Sequence, residues 1–323
     1  MVVSRNMITG ITGQDGILLS KLLHNKDEEV FGIVTQESDK HRVGLLKRVL
    51  PQIELVEISS LKRSSLMPIL RKRNPDKIFN FAALSSVKRS FEDPELTMDI
   101  NYRFFCDLVE AAVQECDSTI RIFQSSSSEM FGNSVDDLQG EDTAFQPLSP
   151  YGESKLLSHM AARDYRNSGI FVTSGILFNH ESEYRKDGFL IEKITSYMAN
   201  RKMGKKEILS VGNLALSRDW GYAGDFVKGI YDSLQAPNPD EFVFATGEER
   251  TIREVIQLAM NVIEDFTSIE EIIEFRPDLS RKSEKLRSKG DFSKAKKILG
   301  WSPSIEFSNM LRLIIDYKIT NSK

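Results

Sequence analysis

The first half of the chain alternates short apolar runs with longer stretches whose apolar positions recur at helical spacing. Met7-Ile8 and residues 30–34, 53–58, 78–81 and 120–124 are strand candidates. Residues 17–24, 66–73 and 96–116 carry the helical pattern between them. Near-continuous apolar strands must be buried on both faces, and helical crossovers cover both faces only when the strands run parallel. The pattern predicts an α/β fold built on a doubly wound parallel sheet. The second half has fewer strand-like runs and longer polar linkers. No internal repeat or low-complexity stretch interrupts either half.

At roughly 150 residues per domain, 323 residues predict about two domains or one large one. The 43 basic and 47 acidic residues are well mixed and leave a net charge of −4. That balance excludes a protein living on bulk attraction to nucleic-acid phosphates. A composition of 40% hydrophobic and 28% charged residues excludes general disorder. No apolar run approaches the ~18 residues of a membrane span, so no membrane partner is expected. The N-terminal residues lack a basic stretch followed by an apolar one, which predicts no secretory signal. Two cysteines, Cys106 and Cys116, cannot build a disulfide framework or a zinc site, and a reducing cytoplasm fits best. His24, His41 and His159 lack metal-ligand spacing, so no metal is expected.

Residues 10–16 read Gly10-Ile11-Thr12-Gly13-Gln14-Asp15-Gly16, directly after the first strand candidate and at the head of a helical run. Glycines there allow a tight turn and let backbone N–H groups approach a pyrophosphate at a helix N-terminus. A ribose-contacting residue belongs ~20 residues on, after the second strand. The segment there is Thr35-Gln36-Glu37-Ser38-Asp39. An acid such as Glu37 favours a free 2′-hydroxyl, as in NAD, and a solvated loop carboxylate is the competing reading. The sheet is therefore expected to be of Rossmann type.

Ser149-Pro150-Tyr151-Gly152-Glu153-Ser154-Lys155 contains Tyr-x-x-x-Lys. Proline marks a helix start, which puts Tyr151 and Lys155 on one face. A cation near a phenol lowers its pKa, and a phenol so tuned can take an alcohol's proton while hydride leaves the same carbon. Taken alone the spacing is common by chance; behind the glycine loop it carries weight. Upstream stand Gln124-Ser125-Ser126-Ser127-Ser128-Glu129-Met130-Phe131-Gly132. Four serines are expected to follow the fifth strand, at the edge where open α/β sheets bind ligands. A hydroxyl there can bond a substrate oxygen, and a carboxylate two residues on can act as base and then acid.

Together these residues resemble the extended short-chain dehydrogenase/reductases, and more closely the GDP-mannose 4,6-dehydratase family. The resemblance runs over nearly the whole chain. Its further segments are Gly175-Ile176-Leu177-Phe178-Asn179-His180-Glu181-Ser182, Arg218-Asp219-Trp220-Gly221, Ala245-Thr246-Gly247-Glu248, and Arg281 and Glu284 ahead of Asp291. It implies oxidation of a hexose at C4 by a retained nicotinamide cofactor, loss of water across C5 and C6, and return of hydride to C6. By matched position Ser127, Glu129, Tyr151 and Lys155 are the catalytic set. Gly10, Thr12, Gly13, Gln14, Asp15, Gly16, Gln36, Glu37, Ser59, Ser60, Ala82, Ala83, Ser85, Tyr151, Lys155, His180 and Arg185 would line the cofactor. Ser85, Ser127, Glu129, Asn179, Lys193, Arg218, Arg281 and Glu284 would line the GDP-sugar, arginines suiting a diphosphate through their bidentate fork. The cofactor implied is NADP. A homodimer or homotetramer is implied too, with Phe104, Phe105, Leu108 and Val109 pairing with the same helix of a second copy; the alternative is that this stripe packs on the sheet.

The chain departs from the family pattern at the adenosine end. Thr35-Gln36 stand where the family has an Arg pair, which leaves NAD open. Ser59-Ser60 replace Asp-Leu, and Glu192 replaces an Arg before Lys193, bringing an acid toward a diphosphate unless it points away. Residues 1–175 are expected to be mainly the NAD(P)-binding domain. Residues 176–323 are expected to be mainly a smaller α/β substrate domain, with some chain crossing back to the sheet. Residues 281–297 hold eight basic and two acidic residues, and the stretch 276–290 reads as a solvated loop that could meet an anion. A GDP-sugar reductase or epimerase is the competing activity, and a non-catalytic nucleotide sensor the competing class. A binder has no need of Ser127, Glu129, Tyr151 and Lys155 together.

Overall fold

The computed structural model describes residues 3–134, 136–279, 285 and 287–321. Arg281 and Glu284 lie outside the described residues. The chain begins β1 (Arg5–Thr9), α1 (Gln14–His24), β2 (Glu29–Thr35), α2 (Lys40–Val49), β3 (Glu54–Ile58), α3 (Arg63–Arg73) and β4 (Lys77–Asn80). It continues through α4 (Val87–Glu92), α5 (Pro94–Met98), a π-helical turn (Asp99–Arg103), α6 (Phe104–Glu115), β5 (Arg121–Ser127), a 3₁₀ turn (Ser128–Phe131) and α7 (Pro150–Asn167). Then come β6 (Val172–Leu177), β7 (Asn179–Glu181), α8 (Leu190–Lys202), β8 (Leu209–Val211), β9 (Ser217–Tyr222), α9 (Ala223–Ser233) and β10 (Glu241–Phe244). The chain ends with β11 (Glu249–Thr251), α10 (Ile252–Val262), α11 (Ile269–Ile272), β12 (Ile273–Phe275), α12 (Ser293–Leu299) and α13 (Phe307–Asn321).

Among the described residues the central sheet runs β10-β6-β5-β4-β1-β2-β3, every pair parallel. Strands β4, β6 and β10 are buried at every position, as parallel strands covered on both faces must be. The order reverses between β1 and β4, and ligands of such sheets bind beyond the strand ends at that point. One core packs around Ile8, Phe79, Phe123, Ile176 and Phe244. A second, around Trp220, Val255, Ile256 and Ile314, joins α8, α10 and α13 to the small β11-β9-β7 and β12-β8 sheets. No helix among the described residues is long and apolar enough to cross a membrane.

Three expectations are corrected. The helix over 96–116 starts earlier, at Pro94 with Asp93 as its cap, and breaks into α5, the π turn and α6. Phe104, Phe105, Leu108 and Val109 are at most 1% exposed and pack with Leu66, Leu70 and Ile122 of the same chain. The stripe is thus spent on its own sheet. Finally, Ser125, Ser126 and Ser127 do not follow β5 but end it, paired with Gly175, Ile176 and Leu177 of β6.

Candidate active site

The glycine loop forms at the end of β1 as expected. Gly10 sits at φ +66°, and a Cβ there would stand 2.6 Å from the Phe81 carbonyl carbon, so only glycine fits. Gly13 caps α1 without any side-chain acceptor, which leaves the first N–H groups of the helix free to face an anion. Arg42 of α2, which the sequence reading passed over, donates through Nε and Nη2 to the Thr12 carbonyl at 3.0 and 2.7 Å and fixes the turn. Gln14 donates to the His180 carbonyl at 2.8 Å, and Ser182 donates back to Gln14 at 3.0 Å.

Asp15, one residue into α1, faces His180, whose Nε2 lies 3.1 Å from both carboxylate oxygens. The other ring nitrogen, Nδ1, is 2.7 Å from the Phe178 carbonyl. Both partners only accept, so the arrangement favours the protonated, doubly donating ring. Burial alone would lower its pKa, but the Asp15 charge and hydrogen bond win and raise it. Asp15 is likewise depressed against its own burial by His180 and Arg185. Arg185 lies over the Phe189 ring at 3.6 Å, and its Nε stands 3.1 Å from the buried Glu181 carboxylate, out of line for a hydrogen bond.

The residues expected at an adenosine end line the strand ends. Gln36 and Glu37 are exposed after β2, and Ser59 and Ser60 share the Ser65 hydroxyl after β3. After β4, the Ala82 N–H donates to Thr9 Oγ1 at 3.2 Å. Ala83 follows half-buried, and Ser85 is exposed. Asn101 of the π turn holds this loop: its Oδ1 accepts from the Leu84 N–H at 2.8 Å, and its Nδ2 donates to Ser154 Oγ at 2.9 Å. A polar residue inside a helical apolar pattern was its only signal in the sequence.

Ser127, Glu129, Tyr151 and Lys155 gather at the end of β5. Ser127 caps the 3₁₀ turn by accepting from the Glu129 N–H at 3.2 Å. Ser149 caps α7, accepting from the Gly152 N–H at 3.1 Å, with Pro150 in the first turn. The helix start packs hard on the turn, for a Cβ at Gly152 would stand 2.8 Å from the Glu129 carbonyl oxygen. Beyond its burial, the Tyr151 phenol feels the Ser127 hydroxyl and the charges of Glu129 and Arg185. Lys155 is buried, donates to the Ser125 carbonyl at 2.8 Å, and lies 6.0 Å from the Tyr151 ring centre. The expectation of a lowered phenol pKa is corrected: burial pushes Tyr151 up to about 12. Burial pushes Lys155 down to about 8, with Asp15 opposing.

The sugar-side candidates are less gathered. Asn179 is half-buried on β7 opposite Trp220. Lys193 donates to the Ser210 carbonyl at 2.5 Å. Arg218 is 9% exposed and donates to the Ser217 carbonyl at 2.8 Å. The unfavourable Glu192 is resolved: its carboxylate accepts from Ser196 at 2.6 Å and Lys318 at 3.0 Å. The solvated loop over 276–290 is corrected in part, because Lys285 and Ser288 are only 3% and 1% exposed. Lys285 donates to the Ser128 carbonyl and was not singled out from the charge run. Asp219 is fully buried and accepts from Thr246, Gly247 and Gly290.

The family model described as GDP-mannose 4,6 dehydratase matches residues 7–314. The chain belongs to the GDP-mannose 4,6-dehydratase family. Among curated relatives, GDP-mannose 4,6 dehydratase 2 of Arabidopsis thaliana is 36% identical over 98% of this chain and 87% of its own length. The human GDP-mannose 4,6 dehydratase is 33% identical over 96% and 90%. Among solved structures, the Thermotoga maritima UDP-glucose 4-epimerase superposes with TM-score 0.86 at 21% identity, covering 99% of this chain and 100% of that one. The Streptomyces venezuelae dTDP-glucose 4,6-dehydratase gives 0.85 at 23%, covering 98% and 97%. These two likenesses show the shared fold of this dehydratase family member.

Proposed function

We propose that the chain converts GDP-mannose to GDP-4-keto-6-deoxymannose. The family supplies the activity, and the observation that carries the chemistry here is the place of Glu129, on the 3₁₀ turn after β5 that packs against the start of the helix bearing Tyr151. Reduction or 4-epimerisation needs no base at C5; dehydration does. Ser127 would hold the C4 oxygen, and Tyr151 would take the C4 hydroxyl proton. Arg185 is the cation that offsets the buried phenolate, and Lys155 would hold the cofactor ribose. Glu129 would take the C5 proton and deliver it to the C6 hydroxyl, which leaves as water, and C5 would regain a proton from solvent when C6 receives hydride. Arg218 would sit on the diphosphate side, with Arg281, Glu284, Asn179 and Lys193 as further sugar-side positions. In this reading residues 1–175 mainly hold the dinucleotide and residues 176–323 mainly the nucleotide-sugar.

The residues present fit a nicotinamide dinucleotide. The uncapped α1 N-terminus and the cradle at Gly10, which no Cβ could share, suit its pyrophosphate. When bound, the nicotinamide supplies a hydride acceptor for C4 and a hydride donor for C6. At the ribose, the exposed Glu37 repels a 2′-phosphate and Gln36 brings no compensating cation, so the residues favour NAD over the NADP that the family resemblance implies. Calorimetry would then show tighter binding of NAD; tighter NADP binding refutes this preference.

The deciding experiment is incubation with GDP-mannose in heavy water without added cofactor, read by mass spectrometry and NMR. Loss of water with deuterium at C5 is expected, and Glu129→Gln should abolish product while leaving cofactor bound. Reduction or epimerisation without C5 exchange would favour the reductase or epimerase reading.

A further inference from the structure

Lys285 stands 157 residues further along the chain than the turn it touches. Its ammonium donates to the Ser128 carbonyl at 2.8 Å and to Gln139 Oε1 at 3.3 Å, with only 3% of the residue exposed. It lies 5.9 Å from the ring centre of Phe131 and 5.7 Å from that of Phe178. Ser128 and Phe131 are the first and last residues of the 3₁₀ turn that carries Glu129, so the lysine grips both ends of that turn. Its charge is attracted by Glu129 and Asp219 and repelled by Arg218. Burying an ammonium is costly unless it is paired and hydrogen-bonded. Burial pushes Lys285 down to about 8, and the charges of Glu129 and Asp219 oppose that shift. A lysine needed only to fill space would be better replaced there by an apolar side chain.

We propose that Lys285 is a positioning residue for Glu129: it clamps the turn through the Ser128 carbonyl and draws the neighbouring carboxylate into the orientation that reaches C5. The proposal rests on the dehydration reading above. It also separates two halves of the reaction. The C4 step depends on Tyr151, Ser127 and Lys155, which stand on α7 and at the end of β5. The C5 step depends on Glu129, which Lys285 aims.

The test compares wild type, Lys285→Met and Lys285→Arg in the full-length holoprotein. In Lys285→Met, single-turnover C4 oxidation, read as absorbance of reduced nicotinamide, should stay near wild type. Deuterium incorporation at C5 and loss of water should fall about 10- to 100-fold, the usual consequence of a misplaced catalytic group. Reduced cofactor should therefore accumulate. Lys285→Arg, which keeps the charge and a donor, should restore most of the loss. Amide hydrogen exchange over residues 128–132 should speed up in Lys285→Met, and this readout needs no substrate. Unchanged exchange over that turn, or a variant that slows both half-reactions alike, overturns the proposal. A wild-type protein that takes GDP-mannose through no dehydration overturns the reading beneath it instead, and the exchange comparison then decides alone whether Lys285 holds the turn.

Discussion

Asp219 offers a prediction whose size follows from its contacts. Its Oδ1 accepts from the Thr246 N–H at 2.9 Å and the Thr246 hydroxyl at 2.6 Å. Its Oδ2 accepts from the Gly247 N–H at 2.9 Å and the Gly290 N–H at 3.2 Å. Burial raises the carboxyl's pKa, and these hydrogen bonds oppose it. Replacement by asparagine keeps one acceptor and turns the other into a donor facing two N–H groups, that of Gly290 buried and that of Gly247 half-buried. Each unmet buried donor costs about 1–3 kcal/mol, so Asp219→Asn should lose about 2–6 kcal/mol. At about 2.1 cal/mol/K per residue, a chain of this length loses on the order of 3–9 °C in Tm. Thr246→Val removes one hydroxyl donor and leaves the carboxylate its backbone partners, so it should cost about 0.5–1.5 kcal/mol and roughly 1–2 °C. Scanning calorimetry of the three proteins at one pH and protein concentration makes the comparison. An Asp219→Asn protein that melts no lower than Thr246→Val would refute the view that this carboxylate knots β9, the turn after β10 and Gly290 together.

Two more predictions bear on the site. Gly152→Ala drives a methyl into the Glu129 carbonyl, so the turn or the start of α7 must shift; turnover should fall about 10- to 100-fold with circular dichroism unchanged, and full activity would show that the contact relaxes freely. The Asp15–His180 pair sets a pH dependence. His180 is raised above 6.5, so its contribution is complete below that value and is lost as pH rises through the folded pKa. Asp15 is lowered below 3.8, so its contribution is complete above that value and is lost as pH falls through the folded pKa. The Tm gap between wild type and His180→Asn should therefore be widest between pH 3.8 and 6.5 and narrow as the pH rises through the raised folded pKa of His180; a flat gap contradicts the pairing.

Much of the fold was legible because parallel strands write themselves as apolar runs. The candidate over 53–58 became β3 with a one-residue change at its start, and the candidate over 30–34 lies inside β2. The glycine loop and the Tyr151–Lys155 helix were legible because their local rules, a tight turn and a proline start, act over a few residues. What stayed hidden depends on long-range partners. Nothing near Lys285 distinguishes it from the cations around it, since its burial is decided by Ser128, Gln139 and Phe178. Asn101 gains its meaning from Leu84 and Ser154, and Arg42 from the Thr12 carbonyl. The phenol of Tyr151 went the other way from expectation because spacing announces a nearby lysine but says nothing of the desolvation around both groups.

The place of β10 in the central sheet also governs how the chain must be made. Strand β6 is buried along its whole length, and its outer edge is covered by β10, with Ser174 to Leu177 aligned on Glu241 to Phe244. During synthesis, at roughly 5–20 residues/s, the ribosome needs on the order of 3–13 s to travel from Leu177 to Glu241. For that interval the nascent chain carries an apolar strand with one row of unpaired N–H and C=O groups, a template for any neighbouring strand. A chain truncated before Glu241 would keep that open edge permanently, so aggregation rather than a stable dinucleotide-binding fragment is its expected fate.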